Sequence, residues 1–218
     1  MFVRIRVVLL LAGMVAAIPA SVDAEGEHAR RAGAELQVLL GDTEKLLDQN
    51  LSDRHVRGLR DRILGSLSSL PLLLRLADQE RGASAATPDV GRVRLLLAEN
   101  RLAELAAEFS NLSSAYPFRG VGILSVQVPP ERIKNALRLH KTFCSACHDF
   151  PFTDTERPAF RLYDQAKAES DREFAARMVT GIRGDVSTGL DNPFTDEEIA
   201  ALLALYRTAE STAEAELR

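Results

Sequence analysis

The chain has 218 residues and a formal net charge of −4, with 27 Lys and Arg against 31 Asp and Glu. A mildly acidic chain without a basic run argues against nucleic acid or an anionic membrane surface as partner. The length allows one large domain or two small ones, and the lack of Trp with abundant Leu and Ala favours helices over strands.

Arg4 and Arg6 precede an apolar run from Val7 to Ile18, and Val22-Asp23-Ala24 is a small-residue site of the A-x-A kind. This is the pattern of a secretory signal peptide over residues 1–24, cleaved after Ala24. The run is too short for a comfortable membrane span, and an uncleaved N-terminal anchor is the alternative. No later segment reaches spanning length. The expected mature chain is therefore exported, periplasmic or equivalent, with no stable membrane span.

Residues Glu25 to Gly33 are polar and read as loose. A first helix is predicted over about Ala34 to Asn50, with Leu36, Leu39, Leu40, Leu46 and Leu47 near helical spacing. Ser52 is an N-cap for a second helix, whose apolar positions Val56, Leu59, Ile63, Leu67 and Leu70 step by three and four. Pro71 kinks or ends it, with Leu72 to Leu76 carrying helix on to Ala77. Arg81 to Ala86 reads as a loop of small residues. Thr87 and Pro88 then open a third helix lined by Val93, Leu96, Leu97, Leu105, Phe109 and Leu112. Residues 25–120 are thus expected to form an antiparallel helical bundle, near the lower size limit for an independent core. Its Leu-rich faces read as core, and His55, at the start of a helix without a companion ligand, reads as solvated.

Tyr116 to Gly120 breaks the pattern, and residues 121–129 read as a short extended linker. Pro129-Pro130-Glu131 opens the next helix. That helix leads into Phe143-Cys144-Ser145-Ala146-Cys147-His148, a C-x-x-C-H sequence that holds both cysteines of the chain. C-x-x-C-H is the attachment pattern of a c-type haem. Each cysteine adds to a vinyl group, and the histidine that follows turns its imidazole onto the iron as proximal ligand. Three other readings stay open. A Cys144–Cys147 redox disulfide lacks the strand-to-helix context that it needs. A zinc site needs a fourth ligand, and His28, His55 and His140 lack metal-site spacing. Two inert buried cysteines beside a surface histidine are the blandest reading.

From about Pro130 to Arg207 the chain resembles a class I cytochrome c, a small all-helical domain around one haem. In that family the first and last helices cross closely, through a small residue and an aromatic placed eight and four residues before the first cysteine. Here those places hold Ala136 and His140, opposite Leu203 and Tyr206, with His140 departing from the usual aromatic. The resemblance implies that the carbonyl of Pro158, with Pro151 as the alternative, accepts the proximal imidazole's N–H. Ser170-Asp171-Arg172-Glu173 and Thr195-Asp196-Glu197-Glu198 are capping boxes, which start helices running to about Gly181 and through Tyr206. The second resembles the opening common in bacterial relatives.

The family takes its sixth ligand, a methionine, from the loop before the last helix. Here that loop, Arg183 to Phe194, contains no Met, His, Lys or Cys. Asn192-Pro193 stands where Met-Pro is usual, with Asn192 a candidate weak ligand, and Arg183 and Asp185 read as solvated charges or as the lining of an open distal pocket. After signal removal Met178 is the one methionine left. It is a candidate sixth ligand, with packing in the core as the other reading.

The expected architecture is all-α: signal peptide 1–24, bundle 25–120, linker 121–129, haem domain 130–210 and a polar tail 211–218. The expected cofactor is one covalent haem c, on Cys144, Cys147 and His148. The expected role is electron transfer with a redox protein partner or within an electron-transfer complex. The alternative is a haem enzyme or small-ligand binder with an open sixth iron position.

Overall fold

The computed structural model describes residues 26–48, 50–83, 90–150, 158–181 and 194–208. The signal peptide, Thr87-Pro88, Pro151, the loop residues Arg183, Asp185 and Asn192, and the polar tail lie outside them. Among the described residues every regular element is a helix, in agreement with the all-α reading. In chain order these are α1 (Glu27–Leu46), α2 (Asp53–Glu80), α3 (Val90–Ala98), α4 (Leu102–Ala115) and α5 (Pro130–Phe143). There follow α6 (Ser145–His148), α7 (Leu162–Ala168), α8 (Asp171–Thr180) and α9 (Asp196–Thr208).

The stretch read as loose is helical, because α1 begins at Glu27. Gly26, at its N-cap, makes no side-chain cap bond. The missing acceptor comes from the far end of α2, where Glu80 accepts the backbone N–H groups of His28 (3.1 Å) and Ala29 (2.9 Å). A carboxylate at a helix N-terminus satisfies orphan donors and suits the dipole. α2 starts at its predicted cap, Ser52, and runs through Pro71 to Glu80 without a break.

The third predicted helix is two. α3 ends in a Schellman motif: Asn100 adopts φ +58°, its N–H donates to the Leu97 carbonyl (3.2 Å), and Arg101 N–H donates to that of Leu96 (2.9 Å). Asparagine tolerates the left-handed region that this cap needs. The first part of the predicted linker, residues 121–125, is a turn, and 126–129 form no regular element. Gly120 and Gly122 take φ +62° and +81°, Leu124 N–H returns to the Gly120 carbonyl, and Ile123 is buried.

Two hydrophobic clusters form, and α1 contributes to both. Ala32, Leu36 and Leu39 join α2, α3 and α4 through Ile63, Leu67, Leu97, Leu105 and Phe109. Ala34 and Val38 join Ala136 of α5, Tyr163 of α7, Phe174 of α8 and Tyr206 of α9, with Cys144 in the same cluster. Side chains at helical spacing on two faces of one helix let it serve two cores. The approach on the second face is close. A Cβ on Gly33 would stand 2.8 Å from the backbone nitrogen of Phe118.

Where α1 meets α8, an ion cluster adds to the apolar contact. Arg177 reaches Asp42 (2.7 Å), Glu169 (2.9 Å) and Glu173 (2.6 Å), while Arg62 adds a second guanidinium on Asp42 at 2.5 Å. Lys45 bridges Glu169 (2.6 Å) and Glu173 (2.7 Å). Burial pushes the Asp42 carboxyl up, but Arg177 and Arg62 outweigh it and hold the group below the usual carboxylate range. Glu173 is held down in the same way by Arg177 and Lys45.

Candidate cofactor site

α5 delivers the C-x-x-C-H segment. Cys144 N–H donates to the His140 carbonyl (2.9 Å), and the N–H groups of Cys147 (3.2 Å) and His148 (3.0 Å) donate to that of Cys144. The chain therefore turns once at Cys144 and continues as the short α6. Both cysteines are free thiols, Cys144 buried and Cys147 exposed. Burial pushes the Cys144 thiol up, against a hydrogen bond from Tyr206.

His148 Nδ1 lies 2.6 Å from the backbone oxygen of Phe160. A carbonyl only accepts, so Nδ1 carries the proton and Nε2 keeps its lone pair. Burial lowers the His148 pKa, with the Phe160 bond opposing. The imidazole is thus oriented, and its neutral form, which burial favours, leaves Nε2 as the nitrogen free to bind a metal. This corrects the expected acceptor. It is Phe160, two residues beyond Pro158, because in a non-helical stretch spacing alone does not tell which carbonyl turns toward the ring.

The Phe160 ring in turn stacks on His55, with centroids 4.6 Å apart and planes 26° from parallel. His55 sits in the first turn of α2, its Nδ1 2.9 Å from the Ser52 hydroxyl, and burial draws its pKa down. His55 stays partly exposed, in keeping with the solvated reading, and one face of its ring makes this aromatic contact.

Behind the segment, α5 packs on α9, and Ala136, His140, Leu203 and Tyr206 are all buried there. His140 is fully enclosed. Its Nδ1 is 2.9 Å from the Tyr206 hydroxyl, and its Nε2 is 2.9 Å from Asp149 Oδ1, out of line for a hydrogen bond. Tyr163 stands edge-on to both His140 and Tyr206. Burial, with Asp149 and Cys144 nearby, pushes its hydroxyl up to about 12.

On the outer side Phe143 and Phe150, 52% and 56% exposed, flank the motif. Phe143 meets Phe194 edge to face at 5.6 Å. Exposed aromatics beside an oriented histidine and an accessible thiol fit a flat apolar cofactor that would cover them. Met178, on α8, is half-buried against the cluster that holds Cys144. Among the described residues no three His, Cys, Asp or Glu side chains converge as a metal-ion group.

The sequence reading missed Phe160, Tyr163, the contact made by His55 and the place of Asp149. Phe160 lies just before α7, a seven-residue helix too short to show periodicity. No known family, curated protein or solved structure matches the chain. Among the described residues no helix is long and apolar enough to cross a membrane.

Proposed function

We propose that this chain is an exported monohaem c-type cytochrome that carries electrons to or from a redox protein partner, alone or within a larger complex. In this reading Cys144 and Cys147 bind the haem covalently and His148 is the proximal iron ligand, in a class I-like domain over residues 130–210. The haem supplies a one-electron couple. The observation that carries the reading is the His148 Nδ1 to Phe160 carbonyl bond, which prepares Nε2 for iron. Ala136 and Tyr206 bring the helices on either side of the motif together, and Phe143 and Phe150 offer apolar surface at its edge. The signal-like residues 1–24 support export, where c-type haem is attached.

The test has two parts. Changing Cys144→Ala together with Cys147→Ala abolishes haem staining on a denaturing gel, and staining that survived would sink the proposal. Visible spectra of wild type and Met178→Ala, with and without carbon monoxide, then decide the sixth ligand. A low-spin wild type indifferent to carbon monoxide, turned high-spin by the substitution, assigns Met178 and electron transfer. A high-spin wild type that binds carbon monoxide at once assigns the open-site alternative.

A further inference from the structure

Among the described residues, the ties from the N-terminal helices to the rest of the chain include three that bear on the site. Arg30 of α1 grips Asp196 at the start of α9 through two bonds, of 2.8 and 2.5 Å. Asp42 and Lys45 of α1 enter the ion cluster on α8. The third tie touches the chemistry, because His55 of α2 stacks on the residue whose carbonyl accepts the His148 Nδ1–H hydrogen bond.

We propose that His55 is a positioning residue for the proximal ligand: by stacking on Phe160 it aims the Phe160 carbonyl at His148 Nδ1 and so sets how strongly His148 donates to iron. The inference rests on the haem reading above and gives the N-terminal helices a role within it. Residues 158–161 belong to no helix, so regular secondary structure does not fix the direction of the Phe160 carbonyl. His55 is anchored, in a capped first turn whose Ser52 hydroxyl accepts its backbone N–H (3.4 Å). α2 is itself tied to α1 through Arg62 and Asp42. A rigid helix end thus presses a flat ring on the residue whose carbonyl orients the imidazole.

The sign of the effect follows from the bond. A firm Nδ1–H···O=C contact raises the basicity of the imidazole, which favours the oxidised iron and lowers the reduction potential. Loss of the stack lets Phe160 move, weakens the contact and raises the potential.

The experiment uses full-length, haem-loaded protein and compares wild type with His55→Ala and His55→Phe. The midpoint potential is read by spectroelectrochemical titration, and solvent exchange of the His148 Nδ1 proton by NMR of the reduced state. His55→Ala raises the potential and speeds exchange by roughly tenfold, on the order expected for a weakened hydrogen bond. His55→Phe, which restores a flat ring, returns both to wild-type values. An Ala variant unchanged in both readouts overturns the inference while the haem reading stands. A wild type without covalent haem overturns both. If the Ala variant does not fold, Phe160→Leu removes the same stack from the other side, and an unchanged potential there overturns the inference equally.

Discussion

His140 occupies a position where the resemblance to class I cytochromes c implies an aromatic. A Phe there would fill the space; His fills it and also brings two ring nitrogens into a dry region. Tyr206 meets Nδ1 and Asp149 meets Nε2, so the polar atoms have neighbours at both ends. His140→Phe keeps the volume but deprives the Tyr206 hydroxyl of that nitrogen, a loss of about 1–3 kcal/mol for a buried polar group. A lowered denaturant midpoint with unchanged circular dichroism checks it. The helix face of His140 was legible in the sequence, because its spacing from Ala136 is helical. Its partner Tyr206, 66 residues away, was suggested only by the resemblance, and Asp149 by nothing. A sequence shows which way a side chain leaves its helix, but not what stands opposite.

Element boundaries were legible where the signal is local. Ser52, Ser170 and Thr195 all cap as predicted, and Thr195 and Glu198 do so reciprocally: Thr195 N–H donates to the Glu198 carboxylate (2.8 Å) and Glu198 N–H to the Thr195 hydroxyl (3.3 Å). Boundaries failed where the cap is remote or silent. α1 takes its cap from Glu80, over fifty residues on. The α3–α4 break depends on Asn100, a residue type that favours a helix C-cap but whose signal was overlooked in the apolar pattern around it. Gly33 belongs at this scale too. In isolation it is a weak point of a helix, yet here it is the gap through which Phe118 approaches. Gly33→Ala gains helix propensity but drives a Cβ against backbone that cannot swing aside, for a net loss of about 1–3 kcal/mol. Thermal unfolding checks it, and a variant more stable than wild type would refute the close packing.

At the scale of the molecule, the sequence suggested two modules joined by a linker, and the described residues show α1 lodged in both cores. Periodicity gave one apolar stripe along that helix. The second contact face is made of Gly33, Ala34, Val38, Gly41 and Asp42, and apart from Val38 these small or charged residues carry little hydropathy signal. Arg177 holds much of this junction. Arg177→Leu leaves buried carboxylates short of a counter-charge, a loss of about 3–5 kcal/mol, measurable as a lower denaturant midpoint. The pH dependence follows from Asp42 and Glu173, whose folded pKa values are depressed. Their stabilisation is complete above the unfolded carboxylate values near pH 4 and is lost as pH falls through the lower folded ones. Wild type therefore loses stability on acidification below about pH 4, and Arg177→Leu loses less over the same range because its carboxylates are less depressed. The Asp42–Arg177 link also closes a loop of 135 residues. A chain delivered from its N-terminus presents α1 early and α8 late, so α1 waits with one flank bare until most of the sequence has followed. During that wait Cys144 and Cys147 have already emerged but lie in chain that has not closed around them. The junction between α1 and α8 can therefore close only after both cysteines have emerged, and of the two it is Cys144 that the finished fold buries.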